Sequence, residues 1–209
     1  MGVPQRENPL NPLDNLMLTI LSQNTNDRNR DIAYQQLRSR FPAWEDVLNA
    51  EVKDIAVAIR PAGLANQKSQ RIRDILRWIQ DHYGQLSLDC LCHTNPQDVM
   101  ETFCQLKGIG VKTIAVVLMF SCGVDIFPVD THVHRLCRRI GLVPPETKSP
   151  EKTFALMQDT VPQGKAFSLH INLINHGRTI CKARKPLCEQ CPLTKICDYY
   201  GAHAQFQRK

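Results

Sequence analysis

The sequence predicts an all-α fold, and the spacing of its apolar residues is the main reason. Several residues recur on one face at helical spacing: Ile72, Ile75, Leu76, Ile79 and Tyr83. No segment alternates with the period of two that marks a half-buried strand. With 209 residues and 43% hydrophobic content, the chain can form one large domain or two small ones around a real core.

Capping signals agree with a helical fold. Asn95-Pro96 and Ser149-Pro150 each place a capping side chain before a proline at the first helical position. Gly84, Gly141 and Gly177 fit the glycine that commonly ends a helix. These boundaries predict about ten helices with short connections.

One segment is apolar on every side, which predicts a helix at the centre of a bundle. It runs from Thr113 to Phe120 and is flanked by helical signals. Its β-branched residues leave a buried strand open as the alternative.

Charge and hydropathy indicate the kind of partner. The net charge of +6 favours a polyanion only slightly, but Arg178, Lys182, Arg184 and Lys185 are clustered without an acid among them and indicate a phosphate contact. No run approaches the roughly 18 apolar residues of a membrane span, so we expect an intracellular protein without membrane association.

Two glycines lie between a helix expected to begin near Pro96 and the apolar helix. Gly108 and Gly110 allow positive φ and a close approach, so backbone N–H groups and the next helix N-terminus can face a phosphate. We expect a hairpin that binds the DNA backbone without reading sequence. An ordinary tight turn is the alternative.

Lys112 follows in the first turn of the apolar helix, where the helix dipole disfavours a cation. A lysine must lose its proton to act as a nucleophile, and the dipole, desolvation and nearby positive charge all favour that loss. This position therefore marks Lys112 as a candidate nucleophile, with a solvated surface lysine as the alternative.

Asp130 begins the next predicted helix, within Val129-Asp130-Thr131-His132. It can serve as an ordinary N-cap. A carboxylate here can also support positive charge at a sugar C1′ and accept a proton from a lysine. The two roles are compatible.

Four of the nine cysteines lie in one compact run, and this spacing predicts a metal site: Cys181, Cys188, Cys191 and Cys197. Such a run suits a 4Fe-4S cluster wrapped by one loop, although spacing alone leaves zinc open. The odd total and this clustering favour a reducing compartment over disulfides. The other cysteines are expected to be packing residues: Cys90, Cys92, Cys104, Cys122 and Cys137.

With these residues in place, the chain resembles endonuclease III, the iron-sulfur member of the helix-hairpin-helix DNA glycosylase superfamily. The resemblance covers residues 11–199. Its motifs occur in the family's order: LSQNTND (21–27), GLANQK (63–68), LKGIGVKT (106–113), VDTH (129–132), HGR (176–178) and the four cysteines.

The sequence departs from the common pattern at three places. Lys107 replaces a proline, Ala65 replaces a larger residue, and extra residues lie between Gly84 and Leu106. These departures concern the substrate range rather than the reaction. The short segment before Pro12 also predicts a reduced N-terminal contribution to the cluster domain.

The resemblance implies two helical domains with the damaged nucleotide in a cleft between them. Residues 13–128 would form a six-helix barrel that contains the helix-hairpin-helix at about 96–121. Residues 1–12 and 129–209 would form a cluster domain, in which the loop 181–197 holds a 4Fe-4S cluster.

The resemblance also implies residue roles. Lys112 matches the Schiff-base lysine and Asp130 the catalytic aspartate, while Gln23 and Leu64 match the residues that fill the gap left by a flipped nucleotide. The cluster is expected to hold the basic loop Lys182–Lys185 against DNA.

The implied function is base excision repair by a monomer acting on double-stranded DNA that carries a damaged base or an abasic site. The enzyme would remove oxidised pyrimidines and cut 3′ to the abasic site by β-elimination. An adenine mismatch glycosylase lacks the lysine at 112 and carries a further domain, so it fits less well. A thymine mismatch glycosylase stays open, and a purely DNA-binding module would leave Lys112 and Asp130 unexplained.

Overall fold

The chain is described by a computed structural model that covers residues 3–6 and 8–206. Within these residues all regular structure is helical and no strand occurs, so the predicted all-α class is confirmed. The chain divides into two compact units. We call Asn8–Val124 the N-terminal unit, and Asp125–Lys209 with Met1–Glu7 the C-terminal unit.

The N-terminal unit is built from seven α-helices within its described residues. They are α1 (Pro12–Ser22), α2 (Asp27–Arg40), α3 (Trp44–Asn49), α4 (Val52–Ala58), α5 (Ala65–Tyr83), α6 (Pro96–Phe103) and α7 (Val111–Ser121). Short 3₁₀ turns at Arg60–Ala62 and Asp89–His93 connect them.

Helix α7 supplies much of the core of the N-terminal unit and packs chiefly against α1. It corresponds to the predicted apolar helix, and most of its side chains are buried: Thr113, Ile114, Ala115, Val117, Leu118 and Met119. The opposing helix α1 contributes Leu16, Met17 and Ile20, all fully buried. The alternative of a buried strand is therefore wrong.

The C-terminal unit contains four further α-helices within its described residues. They are α8 (Thr131–Ile140), α9 (Pro150–Gln158), α10 (Ala166–Thr179) and α11 (Asp198–Phe206). Its core joins α8 to α9 and α10 through Val133, Leu136, Met157 and Leu173.

The predicted domains of residues 13–128, and of 1–12 with 129–209, stay a prediction, because a division into compact units does not show which unit forms a barrel or holds a cluster. Residues 1, 2, 7 and 207–209, which that prediction includes, lie outside the described residues.

The predicted helix boundaries are confirmed except at Gly177. The side chains of Asn95 and Ser149 accept hydrogen bonds from the backbones of their helices, and Gly84 and Gly141 end α5 and α8 in the left-handed conformation. Gly177 instead lies buried inside α10.

The contacts of Gly177 explain why a glycine lies inside α10. A Cβ at this position would come within 3.1–3.2 Å of Arg135, His132 and Leu136 on α8. The glycine therefore allows two helices to pack closely and does not end one.

Two of the cysteines expected to be packing residues are bonded to each other. A disulfide joins Cys92, in the 3₁₀ turn Asp89–His93, to Cys122 at the end of α7. The packing prediction is therefore wrong for this pair, and it is also wrong for Cys90 and Cys104, which are exposed, whereas Cys137 is buried as predicted. Among the described residues, no helix has both the length and the apolar character needed to cross a membrane.

Candidate functional site

The predicted hairpin connects α6 to α7 in the N-terminal unit. Gly108 has φ of +93°, and the buried Ile109 donates a backbone hydrogen bond to the carbonyl of Leu106 at 3.0 Å. Gly110 is the exposed N-cap of α7, so no side chain caps this helix. An anion is the ligand that a helix N-terminus of this kind favours.

Only one of the two hairpin glycines is required by the contacts of the protein itself. A Cβ added at Gly108 would overlap the side chain of Arg71, whereas one added at Gly110 would meet nothing within 4 Å. Gly110 also has an ordinary extended backbone, with φ of −103°. The protein itself therefore needs glycine at 108, but its own packing gives no reason for glycine at 110.

Gln23 is held against this hairpin by two hydrogen bonds. Its Nε2 donates to the carbonyl of Gly108 at 3.0 Å, and its Oε1 accepts from Nη1 of Arg71 at 2.6 Å. The bond to a charged donor is the stronger type. Both ends of the amide are occupied, so the side chain is fixed relative to the hairpin.

Leu64 has two features that are unusual for a leucine. Its side chain is 54% exposed, and its backbone lies in the left-handed region with φ of +49°, directly after Gly63 with φ of +68°. Such a conformation costs a residue with a Cβ about 1–2 kcal/mol. Exposed apolar side chains and strained backbone conformations are both typical of positions that contact a ligand.

Lys112 is the second residue of α7, as predicted, and its side chain is exposed. The helix dipole acts against its positive charge. Because the side chain is exposed, the desolvation that the sequence predicts for Lys112 is not observed in this structure.

Asp130 caps α8, as the sequence suggested. Its Oδ1 accepts a hydrogen bond from the backbone N–H of Val133 at 2.7 Å, and the residue is half-buried after the buried Val129. The cap fixes the carboxylate at the start of the helix. Lys112 belongs to the N-terminal unit and Asp130 to the C-terminal unit.

The four cysteines predicted as ligands line one cavity in the C-terminal unit, which encloses about 360 Å³ including space open to solvent. Apolar and aromatic side chains complete its wall, among them Ile140, Leu187, Leu193 and Tyr199. A zinc ion bound by thiolates at about 2.3 Å requires sulfur atoms roughly 3.8 Å apart. No group of three or more His, Cys, Asp or Glu side chains in the described part of the chain is placed to hold one metal ion. Four cysteine side chains around one largely apolar cavity are the donor set that a 4Fe-4S cluster requires.

Side-chain nitrogens of Arg139 and His176 lie beside two of the four cysteine sulfurs. Nη1 of Arg139 lies 3.4 Å from Sγ of Cys181, and Nε2 of His176 lies 3.3 Å from Sγ of Cys191. Burial raises the pKa of the Cys188 thiol, the other three cysteines raise it further, and Arg139 opposes them. Donors of this kind stabilise thiolate ligands.

Arg139 also supports the basic loop next to the cavity. It donates to the carbonyls of Lys182 at 2.8 Å and Ala183 at 3.1 Å, while its guanidinium lies over the ring of Tyr199. Lys182, Arg184 and Lys185 are exposed. One arginine thus connects the cavity to a loop that presents positive charge to solvent.

Several of these residues were not found from the sequence. Arg71 and Arg139 act through backbone carbonyls and side chains that are distant along the chain, so no local motif marks them. His176 was recognised only as part of the HGR motif.

Comparison with known proteins identifies the class. Residues 17–163 match the model of the HhH-GPD superfamily of base excision DNA repair proteins. Residues 181–197 match the iron-sulfur binding domain of endonuclease III.

Individual relatives agree. Endonuclease III of Thermotoga maritima is 31% identical over 197 residues, which cover 94% of this chain and 87% of that protein. A protein of Arabidopsis thaliana named as a DNA glycosylase is 36% identical over 195 residues, covering 89% of this chain but 66% of that protein. A solved endonuclease III–DNA complex has the same fold, with a TM-score of 0.81, 24% identity and coverage of 98% of this chain and 91% of the other.

The matches define a helix-hairpin-helix base excision DNA repair enzyme. Within that superfamily, the chain belongs to the iron-sulfur endonuclease III family. It is therefore a DNA glycosylase and AP lyase, and it carries a 4Fe-4S cluster.

Proposed function

We propose that this enzyme removes oxidised or ring-saturated pyrimidines from double-stranded DNA and cuts the strand 3′ to the resulting abasic site. The reaction proceeds by β-elimination through a Schiff base on Lys112. The observation that carries the proposal is the exposed Lys112 side chain in the first turn of α7, directly after a hairpin whose last residue, Gly110, caps the helix without a side chain. We further propose that the enzyme acts as a monomer inside the cell.

DNA binding is assigned to the backbone of the hairpin and to the basic loop. The N–H groups after Gly110 bind a phosphate, and the absence of a Cβ at this position lets the DNA backbone approach. Lys182, Arg184 and Lys185 contact phosphates elsewhere on the duplex. Both contacts are independent of the base sequence, and a repair enzyme that scans DNA needs binding of this kind.

Lys112 performs the covalent chemistry. Its neutral amine attacks C1′ as the bond between C1′ and the base breaks, and the base leaves with the bonding electron pair and takes up a proton. The nitrogen bound to C1′ gives up one proton, and its lone pair then expels the ring oxygen O4′, which takes up a proton, so that a protonated imine forms. Loss of a C2′ proton then drives cleavage of the C3′–O bond, which releases the 3′ phosphate.

Asp130 supports this sequence electrostatically. Its carboxylate stabilises positive charge that develops at C1′ as the base leaves, and it accepts a proton from the Lys112 amine. The N-cap bond to Val133 keeps the carboxylate at a fixed place on α8.

Gln23 and Leu64 fill the space left in the duplex when the damaged nucleotide is turned out. The fixed amide of Gln23 supplies hydrogen-bonding groups, and the exposed side chain of Leu64 supplies an apolar surface that stacks on bases. Extrusion costs least where the base pair is already weakened.

Cys181, Cys188, Cys191 and Cys197 are the residues that would hold the cluster, with Nη1 of Arg139 and Nε2 of His176 within hydrogen-bond distance of two of their sulfurs. A cluster bound there would link the two ends of the loop 181–197. Arg139 then holds the carbonyls of Lys182 and Ala183, and so positions the basic loop.

Borohydride trapping tests the lyase proposal. The enzyme is mixed with a duplex carrying one abasic site, reduced, and run on a denaturing gel. We expect a covalent adduct with the wild type and with Lys152→Ala, an exposed lysine on α9, but not with Lys112→Ala. An undiminished adduct from Lys112→Ala would move the nucleophile to another residue.

Substrate preference is tested with matched duplexes that contain dihydrothymine opposite adenine or thymine opposite guanine. Faster single-turnover release of dihydrothymine is expected. Faster release of mismatched thymine would instead identify a mismatch glycosylase.

A further inference from the structure

Lys68 is a fully buried lysine in the second turn of α5, with only 1% of its surface exposed. Its Nζ donates to the carbonyl of Leu21 at 2.8 Å and to the carbonyl of Ala62 at 2.8 Å. A buried ammonium is costly and is tolerated only when its protons are satisfied. The buried ammonium therefore joins two backbone segments, at Leu21 and Ala62, that are 41 residues apart in sequence.

The two carbonyls have equivalent positions relative to the residues assigned to gap filling. Leu21 lies two residues before Gln23, and Ala62 lies two residues before Leu64. Both carbonyls come at the end of a helical turn, where the backbone has no further helical donor. One amine thus satisfies both acceptors and sets the distance between the two segments.

The two segments are irregular beyond these carbonyls. Asn24, Gly63 and Leu64 all have positive φ, between 49° and 68°. Single backbone hydrogen bonds, such as those from Gln23 to Ile20 and from Gly63 to Arg60, continue into these segments after the helical turns end. The two bonds from Lys68 then connect both segments to the same helix, α5. The next turn of α5 carries Arg71, which holds Gln23 against the hairpin.

We propose that Lys68 is a positioning residue that fixes the Gln23 and Leu64 segments relative to each other, so that both side chains enter a duplex together. The inference rests on the gap-filling role proposed above and deepens it. Burial lowers the pKa of Lys68 to about 8, with Arg71 acting in the same direction. A neutral amine still donates two hydrogen bonds, so the tie persists in either protonation state.

The proposal predicts a selective defect in Lys68→Met, which keeps the apolar stem and removes the donors. Gap filling is needed only where an opposing strand exists. We therefore expect the single-turnover rate of base removal from duplex DNA to fall about 10- to 100-fold. Cleavage of a single-stranded oligonucleotide with a preformed abasic site should stay within about twofold of wild type. Lys53→Met, an exposed lysine on α4, should change neither rate.

The outcomes separate this proposal from the function itself. An equal loss of rate on both substrates would show that Lys68 only stabilises the fold. Unchanged rates on both substrates would contradict its positioning role. A wild-type enzyme that gives no borohydride adduct would instead refute the lyase function, whatever Lys68 does.

A second comparison covers the case in which Lys68→Met folds poorly. Lys68→Gln keeps a donor and is tested in the wild-type and Leu64→Ala backgrounds. If Lys68 acts through the gap-filling segments, its substitution should cost much less in the Leu64→Ala background. Equal costs in the two backgrounds would contradict the proposal.

Discussion

Replacing Gly108 with alanine perturbs the hairpin in two separable ways. The backbone at 108 has φ of +93°, which costs a residue with a Cβ about 1–2 kcal/mol. The new methyl group would also overlap Arg71, whose displacement breaks its hydrogen bond to Gln23. A hydrogen bond to a charged group contributes about 1.5–3 kcal/mol, with the lower value suited to a partly exposed pair. We therefore expect Gly108→Ala to lower the free energy of unfolding by about 2–4 kcal/mol.

Two other glycines of the N-terminal unit provide matched controls. Gly84 also has positive φ, at 71°, but a Cβ there would meet nothing within 4 Å, so Gly84→Ala isolates the backbone cost. Gly110 has neither positive φ nor a close neighbour, and Gly110→Ala should leave the free energy of unfolding within about 0.5 kcal/mol of wild type.

Urea unfolding followed by circular dichroism measures all three variants. The expected order of destabilisation is Gly108→Ala, then Gly84→Ala, then Gly110→Ala. Gly110→Ala should nevertheless weaken binding to an abasic duplex, because the proposed DNA contact brings the DNA backbone close to that position. A Gly108→Ala variant no less stable than Gly84→Ala would refute the assigned contact with Arg71.

Further substitutions test the remaining assignments. Asp130→Asn keeps an N-cap for α8 but removes the negative charge. Base removal should therefore slow by about 100-fold or more in single-turnover assays, while the free energy of unfolding changes by less than about 0.5 kcal/mol. Unchanged activity would show that Asp130 takes no part in the reaction. Cys188→Ser should reduce the visible absorbance per chain and weaken DNA binding at fixed salt, whereas retained absorbance would exclude Cys188 as a ligand. Lys68 is buried with a pKa of about 8, against about 10.4 in an unfolded chain, so the unfolded state binds more protons between these values. The free energy of unfolding of the wild type should therefore rise relative to that of Lys68→Met as the pH increases from about 8 to about 10.4. The same pH dependence in both proteins would contradict the burial of the Lys68 charge.

Local signals explain the parts of the fold that the sequence predicts well. Asn95 and Ser149 cap their helices through backbone groups two or three residues away, so the information lies within a few positions. Asp130 was recognised as an N-cap for the same reason. The apolar segment after Thr113 predicts a central helix because its composition alone requires burial on all sides.

Long-range contacts account for the parts that were missed. The sequence predicts a helix end at Gly177, but the missing Cβ instead allows contacts with side chains about 40 residues earlier on α8. Cys92 and Cys122 form a disulfide across 30 residues, which no spacing rule reveals. Lys68 and Arg71 likewise bind groups 47 and 48 residues away.

The most direct test of the account is to locate the covalent bond itself. The borohydride-reduced complex is digested with protease and nuclease, and the modified peptide is sequenced by mass spectrometry. The account predicts a reduced sugar remnant on the Nζ of Lys112 and on no other residue. A remnant on Lys107, on Lys68 or on an N-terminal amine would contradict it.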